Sequence, residues 1–158
     1  MTDTANPSAV GLAVPDFTAA STGTRFSLAA RRGKPLVLYF YPKDNTPGCT
    51  TEAMQFRDLH PDFVAAGCAV VGVSRDSLKS HEGFKAKLGL PFDLIADTDE
   101  AVCRLFDVIK SKNMYGKQVL GVERSTFLID AAGVLRREWR KLKADGHAAE
   151  VLAAVRGL

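Results

Sequence analysis

The chain carries one uninterrupted apolar run, Leu36-Val37-Leu38-Tyr39-Phe40-Tyr41. A run rich in β-branched and aromatic side chains predicts a strand covered on both faces, the pattern of a parallel central strand. Cys68-Ala69-Val70-Val71-Gly72-Val73-Ser74 predicts a second buried strand, and Phe92-Asp93-Leu94-Ile95 a shorter one. Between them the period changes. From Thr50 to Ala66, apolar residues recur at Ala53, Phe56, Leu59, Phe63 and Val64, near helical spacing. Pro61 is expected to kink or restart this helix, because proline is tolerated in a first turn but not inside. Leu78 to Leu88 predicts another helix, closed by Gly89 with Pro91 beyond. Asp97-Thr98-Asp99-Glu100 supplies an N-cap and an acidic first turn for a third, expected to reach about Val108.

Toward the ends the signals are shorter. Val14-Pro15-Asp16-Phe17 is expected to open the ordered structure after a mobile leader over about residues 1–12, and Thr24 to Leu28 alternates like a short strand. Ile109 to Val122, with Gly116 and Gly121, reads as a loop; its "KSKNMYGK" stretch, Lys110 to Lys117, reads as a solvated connector rather than a basic docking loop. Thr126 to Asp130 and Val134 to Trp139 flank Ala131-Ala132-Gly133, a hairpin signal, with Trp139 expected to pack beneath it. His147 to Val155 predicts a closing helix. Strands alternating with helices, then a hairpin and a last helix, predict a single α/β domain over residues 1–158: a thioredoxin-like fold with a central mixed β-sheet flanked by helices.

Composition narrows the function classes. A chain of 158 residues buries roughly 68–70% of its unfolded surface, so its core needs no disulfide staples. A net charge of +3 is too small to argue for nucleic acid. The one basic cluster, Arg136-Arg137 with Arg140, Lys141 and Lys143, lacks strong aromatic interleaving and reads as a solvated strand face. The first residues have neither a basic region nor an apolar core, so no signal peptide is expected. No run approaches the ~18 apolar residues of a membrane span. Three cysteines, an odd count without a framework, suit a reducing compartment, and the expected location is cytoplasmic. With no long exposed apolar stretch, a monomer is expected.

Chemistry concentrates at Cys49. It follows Pro47-Gly48, which permit a sharp turn, and precedes a helix, so its sulfur is expected to face unpaired backbone N–H groups. The positive end of a helix dipole favours a thiolate. Hydroxyls at Thr46, Thr50 and Thr51 are within reach of a nearby sulfur or oxyanion, and the end of a central strand is where α/β sheets place their sites. A small cysteine packed as a hydrophobe would occupy the same position, and position alone leaves the two readings open. Other chemistries find no support: His60, His81 and His147 mark no Cys–His pair, there is no Cys-x-x-Cys or His-Glu-x-x-His, and Gly11, Gly23 and Gly33 form no phosphate-cradling loop.

A family resemblance separates the two readings. Pro42-Lys43-Asp44-Asn45-Thr46-Pro47-Gly48-Cys49 matches the Pro-x-x-x-Thr-x-x-Cys signature of peroxiredoxins. Gly48-Cys49-Thr50-x-Glu52-Ala53 and Phe56-Arg57-Asp58 resemble the bacterioferritin comigratory protein (peroxiredoxin Q) subgroup. So do Val70 to Ser74, Phe92 to Asp97, and Arg124 to Asp130, in consistent order from about Val14 onward. The resemblance implies a peroxidase without metal or flavin, in which Cys49 attacks a hydrogen peroxide or organic hydroperoxide and becomes a sulfenic acid. It implies that Thr46 contacts peroxide and sulfur, that Arg124 favours the thiolate and holds the peroxide, and that Pro42 shields the pocket wall. It further implies that backbone N–H groups near Gly48 and Cys49 add donors and that Glu52 orders the arginine, although Glu52 also suits a helix N-terminus as a plain dipole partner.

The resemblance also shows a departure. In some relatives a resolving cysteine lies five positions after the first, where Met54 stands here; in others it lies on the next helix, near His81 to Lys85, which has no cysteine. Cys68 and Cys103 remain as candidates, and the apolar company of each suggests core packing. A one-cysteine cycle is therefore expected, with the sulfenic acid reduced by an outside thiol, thioredoxin or glutathione with glutaredoxin. The alternative is a thioredoxin-like redox sensor or binding module whose oxidised Cys49 signals to a partner. The combination of Thr46, Cys49 and Arg124 favours the enzyme, since a pure binder has no use for peroxide-holding donors.

Overall fold

The computed structural model describes residues 8–158. In chain order they form β1 (Thr18–Ala19), β2 (Phe26–Ser27), β3 (Leu36–Phe40), α1 (Pro47–Ala65), β4 (Ala69–Ser74), α2 (Leu78–Leu88), β5 (Leu94–Ala96), α3 (Ala101–Leu105), β6 (Ile109–Met114), β7 (Lys117–Val122), β8 (Ser125–Ile129), β9 (Leu135–Arg140) and α4 (His147–Arg156). The two long apolar runs become neighbours at the centre of a five-stranded sheet of order β5-β4-β3-β8-β9. β3, β4 and β5 run parallel, while β8 pairs antiparallel with β3 and β9 antiparallel with β8. This is the mixed sheet flanked by helices that the sequence predicts.

Strand alternation divides the apolar residues between two cores. Val37 and Tyr39, with Tyr41 beyond the strand end, face α1, α2 and α4 and meet Phe56, Phe63, Phe84 and Val151. Leu36, Leu38 and Phe40 face the other side, against Phe26, Val102, Phe106 and Phe127. Both faces of β3 are thereby dry, which is why the run contains no polar position. Because β3 to β5 are parallel, their C-terminal ends lie at one edge, and α1 starts from that edge.

Several boundaries differ from expectation. α1 begins at Pro47, earlier than Thr50, with proline in the first turn where its missing N–H costs nothing. The helix then continues through Pro61, whose ring is exposed, so water can serve the carbonyl that proline leaves free. α3 stops at Leu105 instead of reaching Val108. Its N-cap residue is Glu100, and the carboxylate that serves its first N–H groups is that of Asp97, which accepts from Val102 N at 3.0 Å and Cys103 N at 2.7 Å.

The expected loop from Ile109 to Val122 is a hairpin, β6 paired antiparallel with β7. Its two turn residues, Tyr115 and Gly116, have φ of 54° and 79°, the left-handed pair of a type I′ turn. The strands are largely exposed, so they lack the apolar alternation by which strands are recognised. Arg140, assigned to a solvated face, turns inward instead: its guanidinium donates to the carbonyls of Phe106 and Asp107, both at 2.8 Å, and lies over Phe127. Residues 1–7 of the expected leader lie outside the described residues. Its later part is fastened: Gly11 N donates to Leu135 O, and Leu135 N to Leu12 O. Among the described residues no helix is long and apolar enough to cross a membrane.

Asp97→Ala removes both cap bonds of a short helix whose Val102 and Cys103 lie in the core. It is expected to lower the unfolding free energy by about 1–2 kcal/mol, read as a reduced urea midpoint at unchanged slope. An unchanged midpoint would show that water replaces the cap.

Candidate active site

β3 leaves the sheet at Tyr41, and five residues, Pro42 to Thr46, carry the chain to α1. Asn45 takes a left-handed φ of 64°, and Thr46 returns to an extended conformation as the residue capping the helix. Three residues later, in the first turn, Cys49 is 1% exposed. Its position there sets the sulfur close to the helix's unpaired N–H groups and the positive end of its dipole.

The second part of the site arrives from the opposite end of the chain. β8 pairs with β3 in a register that sets Ser125 opposite Phe40. Arg124, the residue before Ser125, therefore emerges beside the end of β3. Its Nη2 donates to Cys49 Sγ at 3.4 Å and its Nη1 to Glu52 Oε1 at 2.7 Å. Cys49 and Glu52 are three apart on α1, hence on one face, and one planar guanidinium spans both. Gly48 makes room: a Cβ there would stand 3.1 Å from Arg124 Nη2.

Glu52 is fully buried. Burial pushes its carboxyl up to about 7, against the pull of Arg124. For Arg124, burial disfavours the charge, but Glu52 and Cys49 hold its pKa above the ordinary arginine value. Tyr39, stacked on Phe56 with ring centroids 4.6 Å apart, has its phenol raised by burial, with Glu52 and Cys49 adding to the effect. The Tyr39 hydroxyl and Glu52 Oε2 are buried without a hydrogen-bond partner among the described residues.

The Thr46 hydroxyl donates to the carbonyl of Lys43 at 2.8 Å rather than to the sulfur. Its oxygen keeps lone pairs free to accept another hydrogen bond. Pro42 is half-buried at the head of the same loop.

A second polar cluster, which the sequence reading did not single out, anchors this loop. Asp44 is 4% exposed and lies between β3 and α2. Its carboxylate accepts from Tyr41 Oη at 2.7 Å and Ser80 Oγ at 2.8 Å, and meets His81 Nδ1 at 2.8 Å. Its backbone N–H donates to Asp76 Oδ2 at 2.9 Å. His81, fully buried, directs Nε2 to the carbonyl of Ile95 at 2.9 Å. Both ring nitrogens thus face oxygen atoms. Burial alone would raise the Asp44 carboxyl; the bonds from His81, Tyr41 and Ser80 hold it below the ordinary value. Asp44, Asp76 and His81 have the residue types of a metal site, but these atoms are already committed to one another and to the backbone. The one available hint was the spacing of His81 from Phe84, which puts both on the buried face of α2.

The other two cysteines are remote. Cys68 N donates to the carbonyl of Phe63 near the far end of α1, about 21 Å along the helix axis from Cys49. Burial lifts its thiol to about 12. Cys103 belongs to the core on the opposite face of the sheet, and burial, reinforced by Asp97, raises its thiol as well. All three cysteines are free. A disulfide needs Cα atoms within about 7 Å, so neither Cys68 nor Cys103 reaches Cys49 in this fold. Met54 is 37% exposed on α1, and Lys85 on α2 is paired with Asp93 at 2.7 Å.

This arrangement matches known proteins in sequence and in shape. Residues 10–138 match the model of the AhpC/TSA family. The chain is 60% identical over 136 residues to "Peroxiredoxin Bcp" of Xanthomonas campestris, covering 86% of this chain and 85% of that one. A solved structure of Xanthomonas campestris bacterioferritin comigratory protein, described by its alkyl peroxide reduction activity, aligns with TM-score 0.89 at 53% identity, covering 94% of this chain and 98% of the other. A yeast mitochondrial 1-Cys peroxiredoxin, solved for thiol resolution via glutathione/thioredoxin systems, aligns with TM-score 0.80 at 26% identity, covering 93% and 74%. The chain belongs to the AhpC/TSA family and is a peroxiredoxin, a thiol peroxidase.

Proposed function

We propose that Cys49 is the peroxide-attacking nucleophile and that it works in a one-cysteine cycle closed by an external thiol. The observation that carries this reading is the guanidinium of Arg124 shared between Cys49 Sγ and Glu52. The Cys49 thiolate attacks one oxygen of the hydroperoxide, the O–O bond breaks, and the departing oxygen takes a proton to leave as water or an alcohol. Cys49 is left as a sulfenic acid. Arg124 donates to the sulfur before attack and to the peroxide oxygens as charge moves onto them. The Thr46 hydroxyl, with its hydrogen given to Lys43, accepts from the peroxide O–H. Backbone N–H groups of Gly48 and Cys49 supply further donors, and Pro42 forms the wall that limits water. Glu52 orients Arg124, and Asp44 with His81 holds the loop from which Thr46 projects.

The one-cysteine cycle is supported by the distances: Cys68 lies at the far end of α1 and Cys103 across the sheet. Peroxiredoxins use peroxide substrates and thioredoxin-type reductants; for this chain the reductant is thioredoxin or glutathione with glutaredoxin. A cytoplasmic location goes with this reading, since three free thiols are what a reducing compartment maintains.

Peroxide treatment followed by intact-mass measurement is expected to show one added oxygen on Cys49. Loss of two hydrogens, with Cys49 linked to Cys68 or Cys103, would replace the one-cysteine cycle with a disulfide cycle. Cys49→Ser is expected to abolish turnover, and Arg124→Ala to slow peroxide attack by about 10²–10³-fold in stopped-flow oxidation; an unchanged rate would remove Arg124 from the site.

Stability against pH tests Glu52. Its folded value near 7 exceeds the unfolded 4.5, so between these values the folded state holds a proton that the unfolded state has released. Stability then falls as pH rises from about 4.5 to about 7. Urea midpoints at the two ends of that window are expected to drop more for the wild type than for Glu52→Gln. Parallel profiles would mean that Glu52 titrates normally.

A further inference from the structure

We propose that the cleft between the β6–β7 hairpin and Arg124 binds the carboxylates of a small anionic thiol, which is the reductant of oxidised Cys49. This rests on the one-cysteine reading above and names the reductant's chemistry. The cleft has a volume of about 380 Å³, within the range of sites that hold small molecules. Lys110, Lys112, Arg124 and Lys141 line it, and Glu123 is its one carboxylate.

The cations are fixed by the fold. Lys112 Nζ donates to the carbonyl of Val122 at 3.2 Å, across the hairpin. Lys110 pairs with Asp107 at 3.1 Å, a half-exposed contact that neutralises little of its charge. Lys141 has a left-handed φ of 50°, and the N–H of Leu142 after it donates to the carbonyl of Arg124 at 3.3 Å. Lys141 forms no ion pair among the described residues. A concave surface with a charge excess of one sign concentrates ligands of the other.

The cleft's position gives this charge a use. Arg124 is both part of its lining and the donor 3.4 Å from Cys49 Sγ. A thiol whose carboxylates occupied the cleft would be held against the residue whose side chain contacts Cys49. The cleft lined by Arg31, Lys34, His60 and Cys68 is at the opposite end of β4, next to Cys68 instead of Cys49. The chemistry balances with two thiols. The first gives up its proton and, as thiolate, attacks the Cys49 sulfenic sulfur; the S–O bond breaks, hydroxide leaves and takes up the released proton as water, and a mixed disulfide forms. A second thiolate attacks the bound thiol's sulfur, releasing the Cys49 thiolate and a low-molecular-weight disulfide.

The test starts from protein oxidised with hydrogen peroxide and shown by mass to carry one oxygen on Cys49. An internal disulfide at this stage overturns the one-cysteine reading and the proposal with it. Reduction is then followed by stopped flow with glutathione, which is anionic, and cysteamine, which is cationic, with rates expressed per thiolate. Glutathione is expected to be faster by about tenfold, an advantage that shrinks at high ionic strength. Lys141→Glu is expected to erase the glutathione-to-cysteamine ratio, and Lys141→Arg to preserve it. Equal rates in the wild type, or a ratio unchanged in Lys141→Glu, overturn the proposal. So does a preference for thioredoxin in the absence of any charge discrimination among small thiols, which assigns resolution to a protein partner.

Discussion

One guanidinium holds the site together. Arg124 reaches Glu52 and Cys49 at once, and each contact depends on a different feature of the fold. The antiparallel register of β8 on β3 delivers the arginine to the right end of the sheet. The pitch of α1 puts the carboxylate and the sulfur on one face. Gly48 leaves the space that the guanidinium crosses. The pair is almost dry, since the arginine side chain is 16% exposed and the glutamate not at all. In such surroundings, losing one partner leaves a buried charge uncompensated, at a cost of about 3–5 kcal/mol. The raised carboxyl of Glu52 expresses the same tension: burial resists its ionisation even with a cation in contact.

The remaining site features follow from the need to hold a loop rigidly over that contact. Pro42 to Thr46 crosses the sheet edge with one left-handed residue, Asn45, and no regular hydrogen bonding of its own. Asp44 substitutes for it, gathering bonds from Tyr41 just after β3, from the segment after β4 and from α2. A buried polar group that is fully satisfied fixes one geometry, because any displacement leaves donors or acceptors unpaired in a dry interior. The loop's position is thus tied to the packing of α2, although among the described residues the side-chain hydrogen bond to Cys49 comes from Arg124 and not from α2.

Most of the framework was legible before any coordinates. The runs at Leu36 and Cys68 cover both faces of their strands, so period and length pointed to the same element. Gly89 and Pro91 ended α2 where expected, through local backbone chemistry. The misreadings share a physical cause. β6 and β7 are largely exposed, so their pairing is held by backbone hydrogen bonds and a Tyr115-Gly116 turn, neither of which writes an apolar pattern. Arg140 looked like part of a solvated basic face, yet two backbone carbonyls next to α3 needed a donor and took it. Pro61 was expected to kink or restart α1; the helix does not restart there, and exposure makes the missing bond tolerable.

The same division runs through the site. Cys49 was legible because its signal is local: a Pro-Gly pair, a helix start and a signature within eight residues. Glu52 entered only through the family resemblance, and the pitch of α1 accounts for its place on the face of Cys49 once the helix is known to start at Pro47. Arg124 was reachable only through family resemblance, because the contact that matters spans the whole sheet. The isolation of Cys49 from Cys68 and Cys103 was a guess from apolar company until the fold put one at the far end of α1 and the other across β3. Asp44 and His81 were invisible as a pair for the same reason. Propensity, capping and periodicity act between near neighbours, so the chain alone determined the apolar strands of the central sheet, the existence of the four helices and the placement of one thiol at a helix start. Which distant charges meet that thiol, and which other thiols lie apart from it in the fold, was decided by strand order and register, which bring residues together with no trace in their local surroundings.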